Sequence, residues 1–101
     1  MSTGTIMVTA TVVRNKANEL RALNQQLKSK VDDMVRCETG LTKKWKGEAK
    51  DAFHAAFNQD RICWDDFRLL IDDYAKALDL IADEYAKREA ANVSIASTRK
   101  K

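Results

Sequence analysis

Thr39-Gly40-Leu41-Thr42-Lys43-Lys44-Trp45-Lys46-Gly47-Glu48 divides the 101-residue chain into two long stretches of helical periodicity. Before it, Val13, Ala17, Leu20, Asn24, Leu27, Val31, Met34, Glu38 and Leu41 advance by alternating steps of four and three. Only Asn24 and Glu38 interrupt that apolar line, which marks one face of a helix. After it, Phe53, Phe57, Asp60, Trp64, Phe67, Ile71, Tyr74, Leu78, Ile81 and Tyr85 keep the same alternation, with Asp60 the one miss. Ala56, Cys63, Leu70 and Ala77 lie beside this second seam and widen it, so the second helix is expected to touch more than one neighbour.

The divider itself reads as a turn. Gly40 suits the left-handed position that ends a helix, and Gly47 suits an N-cap, with Glu48 and Asp51 placing negative charge in the following first turn. The expected architecture is all-α, an antiparallel hairpin with a helix over about 9–39, a turn over about 40–47 and a helix over about 48–92. Residues 1–101 then form a single domain with flexible ends at about 1–8 and 93–101, in line with the usual domain size of about 100–200 residues. The chain has no proline and 33% charged residues set among 45% hydrophobic ones, which excludes a disordered chain.

Helix lengths of roughly 46 and 67 Å follow from about 1.5 Å per residue, so the second helix overhangs the first by roughly 20 Å. With the turn centred near Lys43 and Lys44, Thr9 stands level with Leu78, which leaves Ile81 and Tyr85 uncovered by their own first helix. Trp45, a large aromatic in the turn, is likewise left without cover by a single hairpin. Two hairpins packed antiparallel answer both problems, because each overhang then lies beside the other turn in a four-helix bundle. Arg14, Arg21 and Lys28, spaced by seven, are expected to face Asp72/Asp73, Asp65/Asp66 and Asp60 across the hairpin; a charged face without specific pairing is the alternative.

Charge narrows the function classes. Residues 48–92 carry six Lys/Arg against eleven Asp/Glu, so the net charge of +3 comes from the turn and from Arg99-Lys100-Lys101. A nucleic-acid platform carries a basic stripe along a helix, so no nucleic-acid partner is expected. The same acidity argues against stable insertion into anionic lipid, and no stretch approaches the roughly 20 apolar residues of a membrane span. No basic residue precedes Arg14 and no apolar run of signal-peptide length follows Met1, so no Sec-type leader is expected.

Catalytic chemistry is not expected either. His54 is the lone histidine, and Lys50, Asp51 and Asn58 beside it make no metal set, so it is read as a solvated surface residue and no metal or cofactor is assigned. Asp65-Asp66 and Asp72-Asp73 diverge around a helix rather than converge for acid–base work. Cys37 and Cys63 stand some 13 residues apart along the hairpin, roughly 20 Å, too far for a bridge needing Cα atoms within about 7 Å. Free and largely packed thiols are expected. The aromatics Phe53, Phe57, Trp64 and Phe67 are read as core.

Taken together, the length, the two long helices, Trp45-Lys46-Gly47 in the turn and Tyr85-Ala86-Lys87-Arg88-Glu89 near the end of the second helix resemble the WXG family, the ESAT-like substrates of type VII secretion. The resemblance covers nearly the whole chain. Trp-x-Gly is weak alone, and its placement together with a tyrosine and an acid four residues apart makes it specific. Tyr74 is followed by Leu78 at that spacing and does not match.

The resemblance implies a helical-hairpin dimer, either a homodimer or a pair with a second family member, of which the broad self-compatible seams favour the homodimer. It implies a composite export signal of Trp45 and Gly47 from one subunit with Tyr85 and Glu89 from the other. The implied receptor is a membrane-anchored ATPase of the secretion machine, and the implied destination is extracellular, reached folded and without a cleaved signal peptide. The protein would act there as an effector or as an export partner for a larger substrate. A cytosolic helical adaptor or dimerisation module without an export role is the alternative.

Overall fold

The computed structural model describes the backbone of residues 8–99 and the side-chain surroundings of residues 8–93, and it is an antiparallel helical hairpin. Helix α1 spans Ala10–Lys44 and helix α2 spans Glu48–Arg99. They form a rod 82 Å long and 16 Å thick in its thinnest direction. Of the ends expected to be flexible, residues 1–7, 100 and 101 lie outside the described residues, and residues 93–99 continue α2.

Both helix starts follow from local chemistry. Thr9 is extended and its hydroxyl accepts from the Val12 amide at 3.2 Å, the N-cap arrangement that satisfies one orphan donor of α1. Gly47 occupies the N-cap of α2 as expected: its carbonyl accepts from Asp51 N at 3.1 Å, and Glu48 and Asp51 lie in the first turn. Its φ of 119° is a conformation that a Cβ strongly disfavours.

Gly40 does not end α1. The helix runs five residues past Thr39, with Lys43 and Lys44 in its last turn, where cations complement the helix dipole. Thr42 Oγ1 donates back to the Glu38 carbonyl at 3.0 Å within that extension. Glycine permits a left-handed stop without requiring one, and here its helical conformation is retained at a propensity cost of about 1 kcal/mol. The connection shrinks to Trp45-Lys46-Gly47.

Shortening the turn shifts the register. Glu38 pairs with His54 and Asn24 with the Arg68 carbonyl, pairs whose numbers add to 92 and centre the hairpin on Lys46. At the open end Arg14 meets Asp83 at 3.0 Å and Arg21 meets Asp79, pairs adding to 97 and 100, because long helical side chains lean toward their own N-termini. The basic row on α1 therefore meets acids on α2, but not those expected from a turn at Lys43 and Lys44. Asp65 pairs with Arg68, Asp72 with Lys76 and Lys28 with Asp32, each within one helix. α2 has 52 residues against 35 in α1 and still overhangs it, but the overhang starts later than expected: Ile81 lies level with the first turn of α1, and Tyr85, near its start, is half-buried.

The Arg21 guanidinium holds the Asp79 carboxyl below its ordinary range, chiefly through their hydrogen bond. A lowered folded-state pKa means that the pair's contribution is present above the ordinary carboxylate pKa and is lost as pH falls through the depressed one. Both groups are well exposed, so this contribution is small.

The seam between the helices is made of small residues. Ala10, Val13, Ala17, Val31, Ala75 and Ala82 are the buried apolar side chains among the described residues. The seven-residue row Phe57, Trp64, Ile71, Leu78 and Tyr85 flanks it half-buried. The companion row on α2 is open: Phe53, Phe67, Tyr74 and Ile81 are 41 to 55% exposed. On α1 the seam passes from Val31 to half-buried Val35 and Thr42, leaving Met34 and Leu41 exposed. A nearly straight helix drifts about 20° per heptad against a strict seven-residue repeat, which is enough to turn those two outward.

One correction concerns polar residues at the turn end. His54 is half-buried, with Nδ1 2.7 Å from Glu38 Oε2 and Nε2 3.2 Å from Asn58 Nδ2, so it is not a solvated surface histidine. Glu38 is only 5% exposed and occupies a seam position. A carboxylate there requires a donor, since a buried charge without one costs several kcal/mol. Cys37 and Cys63 are free thiols, and both are exposed rather than packed.

The two glycines give opposite expectations in chemical denaturation. Gly40→Ala, where a new Cβ meets nothing within 4 Å, should stabilise by about 0.5–1 kcal/mol. Gly47→Ala has equal space but a positive φ, and should destabilise by about 1–3 kcal/mol. Removing the donor in His54→Ala should cost about 1–3 kcal/mol by leaving Glu38 unpaired, with much of the loss recovered in the double variant Glu38→Leu/His54→Ala.

Candidate functional site

Four residues carry the expected recognition chemistry, and the fold sets them at opposite ends of the rod. Trp45 follows the last turn of α1 in an extended conformation, with φ −114° and ψ 127°. Its ring centroid lies 5.9 Å from that of Phe53, so its own chain covers part of it and it is half-buried. Phe53 continues to Phe57 at 6.2 Å, and Phe57 meets Trp64 edge-on at 5.5 Å and 85°. Four rings thus form a ladder from the turn along the first third of α2. Offset and edge contacts of this kind add about 0.5–1.5 kcal/mol each beyond buried area. Phe53 is 41% exposed and Phe67 53%, so neither is core within a single chain.

Gly47 completes the turn through its backbone. Its positive φ lets α2 begin three residues after Trp45, at Glu48, which fixes the indole against the first turns of α2. Lys43, Lys44 and Lys46 flank the aromatic in sequence, and all three are exposed.

At the other end, Tyr85 and Glu89 sit one helical turn apart on α2. With Val8, Arg88 and Asn92 they line a shallow recess open to solvent. Glu89 is exposed, yet its Oε1 accepts from the Ala10 amide at 2.9 Å. That contact was not legible in the sequence, because it depends on where α1 begins and on the register. About 1.5 Å per residue places Tyr85 roughly 57 Å from Gly47 along α2. A single chain therefore does not bring the two halves together.

The rod's two flanks differ in chemistry. On one, Arg21, Asn24, Gln25, Lys28, Asp65, Arg68 and Asp72 line a groove with the Arg21–Asp79 and Arg14–Asp83 pairs beside it. At about 100° per residue, Leu23, Met34 and Leu41 of α1 and Phe67, Leu70, Tyr74 and Ile81 of α2 all turn to the opposite flank. Every one of these is 40% exposed or more. No helix among the described residues is long and apolar enough to cross a membrane, and no cluster of three His, Cys, Asp or Glu there could hold a metal.

Comparison with known proteins agrees with this geometry. The crystal structure of a mutant form of the secreted protein EsxB from Bacillus anthracis str. Sterne superposes with a TM-score of 0.77, covering 88% of this chain and 99% of that one at 16% identity. That likeness establishes the shared hairpin fold. No curated protein sequence matches the chain. The family model described as proteins of 100 residues with WXG matches residues 5–90, which take in both helices, the Trp45-Lys46-Gly47 turn and the Tyr85/Glu89 end. The chain belongs to the WXG100 family of small secreted helical proteins.

Proposed function

We propose that this protein is a type VII secretion substrate, exported folded as an antiparallel homodimer. Its signal joins Trp45 and Gly47 of one copy to Tyr85 and Glu89 of the other, and the reader of that signal is the membrane-anchored ATPase of the secretion machine. Made in the bacterial cytoplasm and delivered outside without a cleaved leader, it acts there as an effector or accompanies a larger substrate.

One observation carries the reading. The two halves of the signal lie at opposite ends of a rod on one flank of which large apolar side chains from both helices are uncovered. Packing that flank against a second copy running the other way covers the apolar side chains and sets each turn beside the partner's open end.

Surface area supports the second layer. The chain exposes 7944 Å², whereas a compact monomer of 11.4 kDa exposes about 5,800 Å². The excess of about 2,100 Å² is larger than the roughly 800 Å² per partner of a standard interface. The charged flank is unsuited to that role, since its ions are already paired and solvated.

Light scattering on the purified chain should give twice 11.4 kDa. Phe67→Glu/Tyr74→Glu, which places charge in the middle of the apolar flank, should give the single-chain mass and lose export. Trp45→Ala should keep the double mass and reduce secretion at least tenfold in a strain that carries the machinery. Undiminished secretion of Trp45→Ala would remove Trp45 from the signal, and absence of the parent chain from the medium of that strain would leave the cytosolic adaptor as the better reading.

A further inference from the structure

The hydrogen bond between Glu89 and Ala10 joins residues 79 positions apart, and it completes a helix start that α1 cannot complete by itself. The first turn of α1 contains no acidic residue, whereas that of α2 contains Glu48 and Asp51. A helix N-terminus carries partial positive charge and unpaired amides, so a carboxylate there is stabilising. Thr9 Oγ1 satisfies Val12 N and the Thr9 carbonyl satisfies Val13 N. Ala10 is 7% exposed, so its amide has little access to water and requires a protein acceptor. Glu89 Oε1 is that acceptor, at 2.9 Å.

We propose that Glu89 is a positioning residue: a latch from α2 that caps α1, fastens the open end of the hairpin, and so sets the stretch that bears Tyr85 against the start of α1. This deepens the export reading, since the acid of the proposed signal is also a structural acceptor. Loss of Glu89 then reaches residues 10–13 of the other helix as well as any receptor that reads the carboxylate.

The latch is tested on the full chain by amide hydrogen exchange of residues 10–13, alongside secretion. Glu89→Ala should speed exchange there about tenfold while leaving the middle of the helices unchanged, a size set by the loss of a helix cap. Glu89→Gln, whose amide oxygen can still accept, should stay close to the parent. Thr11→Glu, an exposed position in the first turn of α1, should restore protection in the Glu89→Ala background by supplying a local carboxylate. Unchanged exchange at residues 10–13 in Glu89→Ala, or an even rise along the whole chain, would overturn the latch. Secretion reads separately. Protection restored without export means that the carboxylate is read by the receptor as well as by Ala10, and secretion unaffected by every variant removes Glu89 from the export signal while the latch stands on exchange alone.

Discussion

Alanine at the seam is the constraint on which the rest of this molecule depends. Ala10, Ala17, Ala75 and Ala82 let the helices approach, but each removes little apolar surface from water. Phe67, Leu70, Tyr74 and Ile81 remain 43 to 55% exposed, so much of their apolar surface adds nothing to the stability of a single hairpin. Burial per residue rises with size, and two helices alone are a small body with a thin interior. A second layer is therefore the natural complement of this seam. The arrangement separates two tasks: small side chains close the hairpin, and large ones are kept for whatever covers its open flank.

Polar groups within the seam give it direction. Asn24 Nδ2 donates to the Arg68 carbonyl at 3.0 Å, and Glu38 meets His54 about two turns from the connection. Sliding α2 by a heptad would take Glu38 away from His54, setting it opposite Gly47 or Arg61, and would take the Asn24 amide off the Arg68 carbonyl. Polar residues at such positions commonly trade stability for register. Asn24 Oδ1 and Arg68 Nε, an acceptor and a donor, are shielded in the same layer without a protein partner, which fits a site chosen for specificity over maximal packing. The Arg14–Asp83 and Arg21–Asp79 pairs then mark the flank that stays in water.

The hairpin was legible because seven-residue periodicity survives in both halves and breaks around Trp45-Lys46-Gly47. The register was not. Gly40 is compatible with a helix end and with a helix interior, and choosing the end displaced the mirror by five. That displacement set Glu38 opposite residue 49, hid its partner His54, and assigned Arg14 and Arg21 to the wrong aspartates. It also started the overhang of α2 too early and left Tyr85 without cover, when the structure has it half-buried near the start of α1. The need for a second layer survives on broader grounds, since the open flank adds to the overhang as its source. Periodicity likewise could not divide the apolar positions of α2 between α1 and solvent, because both rows are spaced by seven. The turn and tail residues were identified by resemblance, and the Glu89 contact with Ala10 required coordinates.

Recognition built from two ends of a rod has a direct consequence for mixtures of variants. A dimer of one copy bearing Trp45→Ala and one bearing Tyr85→Ala has both lesions at one end and an undamaged turn and tail at the other. Co-expression of the two singly silent chains, followed by quantification of secreted protein, tests whether the signal is composite. Secretion should return, carried by mixed dimers that contain both variants. Failure of the mixture to secrete while mixed dimers form in the cytoplasm would contradict a signal shared between copies.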